Sequence, residues 1–402
     1  MEVLGIQSNL VPTPHHQALG HLYLTSKKSK VDVKTTKFFQ DEKNPRTTEE
    51  KRLVPKLWKD PQTYTVQALH SPWHRTMLRI QSALFHTSID FFRHKMNYEY
   101  LVVPLTTGSI SSPMGLGSDS QPVSIQLNNK PTYLADSQQF LLEYALRLQE
   151  VPRGVYYAGT SCRGEDHDPT HLNQFCHVEC ELLGGLEAGM DVANQYIINL
   201  TQSLLASHGP EIALYAGTTS HMQHLLKLYS ANNNYFPTIT LSEVLALPEL
   251  TNEMWEFVVP GDPAYGRLLT RKGEQMLIAK FGGACWLTEM DHLSVPFYQA
   301  YIPGNPTQQV AKAQCADFLL GMGEVLGCGN RHVSVDQAMR GLGEHGVNPE
   351  DYKWYLDMRK EKELETTGWG IGTERYLCWV LGHDDVRDVQ IFPRLKGLEC
   401  AP

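Results

Sequence analysis

From Pro72 onward, apolar side chains recur at helical spacing. Trp73, Met77, Ile80, Leu84, Ile89 and Phe92 predict one helix that ends near Lys95. The run Tyr98 to Val103 then reads as a strand, and Pro104, which has no N–H to give a ladder, marks its exit. Further strand-like runs occur at 123–127, 132–135, 154–159, 174–182, 283–288 and 296–302, and helical patterns at 137–149, 187–206, 218–229, 334–344 and 373–381. Short strands that follow one another without regular helical crossovers predict an α+β fold, an antiparallel sheet flanked by helices. Residues 106–121 are rich in Gly and Ser and read as a loop. Residues 1–70 are polar, carry prolines at 12, 14, 45, 55 and 61, and lack sustained periodicity, so they are expected to form an arm or appendage before a domain over 71–402.

Composition narrows the class. The 402 residues are 42% hydrophobic and 20% charged, as in an ordinary globular chain. No run of about 18 apolar residues predicts a spanning helix, and Met1–Gly5 does not open as a secretory leader. The eight cysteines form no CxxC pair, so the expectation is buried thiols in a reducing, cytoplasmic setting rather than disulfides or a zinc site. A net charge of −9 argues against a surface built to grip nucleic acid. Between Lys27 and Asp60 eleven Lys/Arg face six Asp/Glu, a local +5 against about −14 elsewhere. That stretch reads as a solvated basic segment before it reads as a phosphate contact.

Two blocks carry candidate chemistry. Gly368-Trp369-Gly370-Ile371-Gly372-Thr373-Glu374-Arg375 places packed glycines ahead of an apolar helix, with Arg375 able to cover a flat ligand. Upstream, Cys162-Arg163-Gly164-Glu165 and His171-Leu172-Asn173-Gln174-Phe175 flank an acidic, proline-bearing loop between two strands. Arg163 offers a bidentate fork for phosphate or carboxylate, Phe175 a stacking face, and Glu179 and Glu181 share one face of the second strand. By itself such a hairpin is usually only a solvated hairpin.

Together, and in this order, the blocks resemble motifs 2 and 3 of the class II aminoacyl-tRNA synthetases, specifically the aspartyl/asparaginyl subgroup, with the helix and strand before Pro104 resembling motif 1. Tyr133-Leu134-Ala135-Asp136-Ser137-Gln138-Gln139-Phe140-Leu141-Leu142-Glu143 is similar to the asparaginyl pattern; aspartyl enzymes carry a lysine where this chain has Leu142. Trp354-Tyr355-Leu356-Asp357-Met358-Arg359 matches a second asparaginyl element. The resemblance implies a homodimer and an enzyme that joins ATP to an asparagine- or aspartate-like amino acid. It implies ATP held by Arg163, Glu165, His171, Phe175, Glu324 and Arg375, with Arg163 and Arg375 serving catalysis. It further implies Mg2+ on Asp317 and Glu324, and the amino acid held by Ser137, Gln139, Glu143, Glu179, Arg331 and Arg359. Glu143 would accept a bond from a side-chain amide.

Four departures shape the functional expectation. The stretch before motif 1 is too short for the family's anticodon-binding barrel; Thr170 stands at a motif 2 arginine, Gln174 at a glutamate, and Thr366 at a histidine near the substrate. The segment Lys360-Glu361-Lys362-Glu363-Leu364-Glu365 is also more charged than its family counterpart. The expectation is therefore a stand-alone, non-translational activating enzyme with tRNA an unlikely partner and no membrane role. Ammonia-dependent asparagine synthesis, dehydration of the asparagine amide to a nitrile, tRNA aminoacylation and a silent ATP or amino-acid sensor are the alternatives.

Overall fold

A computed structural model describes residues 51–399 apart from 113–115, 117–119, 128 and 305–309. Its centre is an eight-stranded sheet. In chain order the strands are β1 (Glu99–Tyr100), β2 (Gly154–Cys162), β3 (Gln174–Leu183), β4 (Thr238–Thr240), β5 (Ala284–Thr288), β6 (Cys315–Leu320), β7 (Gly323–Asn330) and β8 (Thr366–Gly372). They lie side by side in the order β1-β2-β3-β8-β7-β6-β5-β4. Every pair from β2 to β5 is antiparallel, and only the two edge strands, β1 and β4, pair in parallel. The expected α+β architecture is what the chain adopts.

One face of the sheet is covered by the 31-residue helix Leu186–Ala216, whose Met190, Ala193, Tyr196, Ile197, Leu200 and Leu204 are buried. The helix Pro72–Asp90 packs on it through Trp73, Met77, Ile80 and Leu84, all at most 1% exposed. The apolar stripe that motif 1 was expected to offer to a second subunit is thus spent inside this chain. Burying four such side chains contributes roughly 1.5–3 kcal/mol each. Left to the outer surface are Leu78 and Ile89 on that helix, with Tyr100, Val102 and Leu105 beyond it.

Several boundaries differ from the sequence reading for identifiable reasons. The helix predicted over 187–206 runs on through His208-Gly209-Pro210, because its packing outweighs the missing proline N–H. The run 296–302 makes no strand; Pro296 interrupts it, and only isolated bridges form, Gln299 with Arg331 and Tyr301 with Ala313. Strands β6, β7 and β8 were hidden by their acids and glycines, and the hairpin Trp255–Val259/Asp262–Leu269 and the helices Arg271–Lys280 and Lys353–Glu361 by weak periodicity. Residues 51–70 are no free arm. The Trp58 indole donates to Asp388 Oδ1 at 2.8 Å, Tyr64 donates to the Ile391 carbonyl at 2.7 Å, and the Arg52 amide to the Leu214 carbonyl at 2.9 Å. The rest of the predicted arm lies outside the described residues, as does part of the 106–121 loop. Among the described residues no helix is long and apolar enough to cross a membrane.

Candidate functional site

The hairpin β2–β3 and strand β8 lie next to each other in the sheet, and this adjacency brings the two sequence blocks together. The chain between β2 and β3 is fastened by its own polar groups. Asn173 donates from Nδ2 to the carbonyls of Arg163 (3.1 Å) and Glu165 (2.6 Å), while its own carbonyl accepts from the Arg163 amide. Asp168 Oδ1 accepts from the Thr170 amide and hydroxyl and from His171 N and Nδ1 at 2.6–3.0 Å. Burial alone would raise the Asp168 carboxyl, but those bonds outweigh it and hold the group well below the usual carboxylate range. The loop is also latched to the C-terminal block: Val386 N donates to the Pro169 carbonyl, and Arg375 donates to the carbonyls of Thr170 (3.2 Å) and Glu324 (2.8 Å).

Arg163, Glu165, His171, Phe175, Glu324 and Arg375, the six residues expected to hold ATP, all line one cavity of about 220 Å³. The Arg163 guanidinium lies 5.5 Å over the Phe175 ring, and its buried Nε has no hydrogen-bond partner. A buried donor left unpaired costs roughly 1–3 kcal/mol, so this one is built for a ligand. Glu165 is positioned by the Gln121 amide at 3.1 Å. The glycines predicted to open a helix lie on β8 instead, and the helix proper is Thr373–Val380. At Gly370 a Cβ would sit 3.0 Å from the Glu179 side chain, so only glycine keeps that wall thin.

A second cavity of about 660 Å³ shares Arg163, His171, Glu324 and Arg375 with the first, so the two form one cleft. Asp317 on β6 and Glu324 on β7 converge there over Gly327, where a Cβ would meet Glu324 Oε1 at 3.1 Å and Asp317 Oδ1 at 3.6 Å. A third carboxylate, Glu274, accepts from the Glu324 amide at 3.3 Å. Burial, reinforced by the neighbouring Glu324, pushes Glu274 up to about 7, and burial with both glutamates pushes Asp317 well above its ordinary value. Glu274 sits one turn after Arg271, which donates to the Thr170 hydroxyl at 2.6 Å and lines the same cleft. Neither residue carried a local signature in the sequence, because neither sits in a motif. Arg271 brings a cation to the place where Thr170 replaces the expected arginine.

The six residues expected to hold the amino acid separate into two groups. Gln139 and Arg331 line the larger cavity, where Gln139 Nε2 donates to the Tyr298 hydroxyl at 2.6 Å. Ser137, Glu179, Glu143 and Arg359 line neither cavity. Ser137 donates to both oxygens of Glu179 at 2.8 and 2.7 Å, and His177 lies 3.1 Å away. Burial works to raise Glu179, but His177, Ser137 and Tyr157 hold it below the ordinary value. Glu143 and Arg359 are completely buried partners of each other. Tyr355 takes the other Glu143 oxygen at 2.7 Å, and Arg359 also donates to the His332 carbonyl at 2.9 Å. Glu143 therefore has no oxygen turned to a substrate amide. It anchors a layer beneath the pocket that continues through Arg331, bidentate on Glu181 at 3.0–3.3 Å. Burial pushes the Glu181 carboxyl up to about 7 against the pull of Arg331. Thr366, expected near the substrate, is fully buried in this layer too.

With this geometry in place, likeness to known proteins can be stated. A profile of the family described as tRNA synthetases class II (D, K and N) matches residues 61–396. An asparagine–tRNA ligase from Clostridium kluyveri is 25% identical over 414 residues, spanning 98% of this chain and 84% of its own length. One from Clostridium tetani is 28% identical over 80% of this chain and 70% of its own length. Among solved structures, the Pyrococcus horikoshii asparaginyl-tRNA synthetase complexed with asparaginyl-adenylate is similar with a TM-score of 0.69 at 21% identity, covering 82% of this chain and 71% of its own. The asparaginyl-tRNA synthetase of Entamoeba histolytica gives 0.68 at 22% identity, over 86% and 74%. These two structures speak for the fold.

Proposed function

The chain belongs to the class II tRNA synthetases of the D, K and N type, and we propose that it activates an asparagine-type amino acid with ATP, forming an aminoacyl adenylate and pyrophosphate. The observation that carries this reading is the convergence of all six expected ATP residues on one cavity that opens into a second one bearing Gln139 and Arg331.

Adenylation needs no nucleophile from the protein. A substrate oxygen attacks the α-phosphorus, the new P–O bond forms, and the bond to pyrophosphate breaks. Catalysis is then positioning plus positive charge where negative charge develops. Arg163, at the junction of the two cavities with an unpaired donor, is placed to touch the α-phosphate and the substrate carboxylate together. Phe175 and Arg375 present faces for the base, and His171 keeps Nε2 clear of protein partners by binding Asp168 through Nδ1. Covalent cysteine chemistry is disfavoured, because burial raises all seven described thiols above their ordinary value. The crowded carboxylates Asp317 and Glu324, with Glu274 behind them, fit a hard divalent cation that would neutralise their mutual repulsion. Bound there, Mg2+ would supply charge neutralisation for the phosphates.

For the acceptor, we favour a biosynthetic fate over tRNA. In support stand Thr170 in the loop that carries arginine in the family and the charged Lys360–Glu365 segment. The names of the relatives favour the second reading, transfer to tRNA. Exposed Tyr100, Val102, Leu105, Leu148 and Val151 favour a homodimer.

ATP–pyrophosphate exchange with asparagine and aspartate tests the reading, and absence of exchange with both sinks it. Mass analysis of the product then separates the fates. Loss of one water from asparagine marks a nitrile, gain of ammonia by aspartate marks amide synthesis, and charged tRNA refutes the biosynthetic fate. Replacing Phe175 by alanine is expected to raise the KM for ATP about 10-fold, since a base–aromatic stack is worth roughly 1–3 kcal/mol. The KM for the amino acid should not move; steady-state kinetics in both substrates checks this.

A further inference from the structure

Strand β7 presents Gly327, Gly329 and, two residues on, Arg331 to one side, because side chains alternate along a strand. At one end of this row lie the carboxylates of Asp317 and Glu324; at the other is the Arg331 guanidinium. Above the middle glycine lies Gln299. A Cβ built on Gly329 would fall 1.6 Å from Gln299 Oε1, 2.4 Å from its Cδ and 2.6 Å from its Nε2. The carboxamide thus rests flat on a bare α-carbon, and any side chain at 329 would evict it.

The backbone of Gln299 is fixed: its amide donates to the Pro296 carbonyl at 3.2 Å, its carbonyl accepts from His292 Nε2 at 2.8 Å, and it bridges to Arg331. Its side chain is not. The residue is only 8% exposed, Oε1 is buried without a partner, and among the described residues nothing hydrogen-bonds Nε2 either. Leaving a buried polar group unpaired is costly, so a side chain pinned in this state at the wall of a cavity is a group waiting for a ligand. The other polar groups on that wall are committed: Gln139 donates to Tyr298, and Arg331 is held by Glu181.

We propose that Gln299 is a specificity-determining residue of the amino-acid pocket, and that Gly329 is its permissive partner. The proposal rests on the adenylation reading above and names what that site selects. A carboxamide offers one donor edge and one acceptor edge, whichever way its oxygen and nitrogen are assigned. Another carboxamide complements both edges at once. A carboxylate offers only acceptors and sets one oxygen against Gln299 Oε1. The pocket therefore selects an amide-bearing side chain over the corresponding acid, a discrimination the sequence reading had given to Glu143.

The test compares asparagine with aspartate in wild type, Gln299→Met and Gly329→Ala. The first variant keeps the shape and removes both hydrogen-bonding edges; the second keeps Gln299 and displaces it. Two readouts are used, exchange kinetics and the rise in melting temperature that asparagine produces. Wild type should prefer asparagine. Each variant should lose about 10- to 100-fold in kcat/KM for asparagine, with the preference over aspartate reduced by a similar factor and the KM for ATP unchanged. Gln299→Met without ligand should melt no lower than wild type, since it removes only an unpaired polar group.

An unchanged asparagine-to-aspartate ratio in a folded variant overturns the assignment while leaving adenylation intact, and so does a wild type that prefers aspartate. If exchange is absent but asparagine stabilises wild type and not Gln299→Met, the adenylation reading falls and the Gln299 assignment stands. Neither exchange nor binding overturns both.

Discussion

Arg163→Ala is expected to lower ATP–pyrophosphate exchange about 10³-fold, with kcat and kcat/KM falling together. The size follows from what the side chain does and does not touch. Its guanidinium stacks over Phe175 and makes no hydrogen bond within the described residues, while the backbone around it is secured independently by Asn173. Its donors are thus reserved for charge that develops on the ligand, and removing them costs rate without costing fold. The melting temperature of the variant should match wild type. Arg163→Lys keeps the charge but loses the planar fork, so it should recover only part of the lost rate. Wild-type exchange in Arg163→Ala would remove this residue from the reaction.

Arg359→Ala should behave in the opposite way. This arginine was expected beside the substrate, yet it is completely buried, bonded to Glu143, the His332 carbonyl and Tyr355, and lies 3.7 Å over the Tyr355 ring. Removing it strands the Glu143 carboxylate in a dry layer, which costs about 3–5 kcal/mol. Urea denaturation should show the loss as a lower midpoint at an unchanged slope. Replacing both members, Glu143→Met with Arg359→Met, should recover much of it, because a paired apolar substitution leaves no isolated charge. A stable Arg359→Ala protein with impaired amino-acid binding would return Arg359 to the substrate pocket.

These two arginines also show why the site was only partly legible in the sequence. Residues that contact ATP sit in short contiguous blocks, 163–175 and 368–375, where spacing along a hairpin or at a strand–helix junction already dictates proximity. Such blocks survive as patterns. The amino-acid end is assembled differently. Gln299 comes from an irregular segment stopped by Pro296, Arg271 and Glu274 from a helix of weak periodicity, and Gly329 matters only through what lies above it. No window of sequence contains that neighbourhood.

Hydrophobic spacing was similarly reliable for existence and less so for purpose. The stripe Trp73/Met77/Ile80/Leu84 does form a helix face, but a stripe carries no record of whether a partner subunit or the chain's own Leu186–Ala216 helix will cover it. Glycine-rich Gly368–Gly372 shows the converse. Its composition pointed to a helix opening, whereas pairing with β3 and β7 makes it a strand, since glycine there gives room to Glu179, Glu181 and Arg331 rather than a turn.

What the sequence determined by itself is the α+β architecture, the order of its elements and the residues that meet ATP, because each depends on periodicity or on neighbours within a few positions. Tertiary structure alone decided which polar groups face the cleft. Glu143, Arg359, Glu179 and Gln299 are alike on paper, all polar and all near a motif. Burial satisfies the first three with partners distant in the chain and leaves Gln299 unpaired at the cavity wall, and hydrogen-bond satisfaction is a property of the folded neighbourhood.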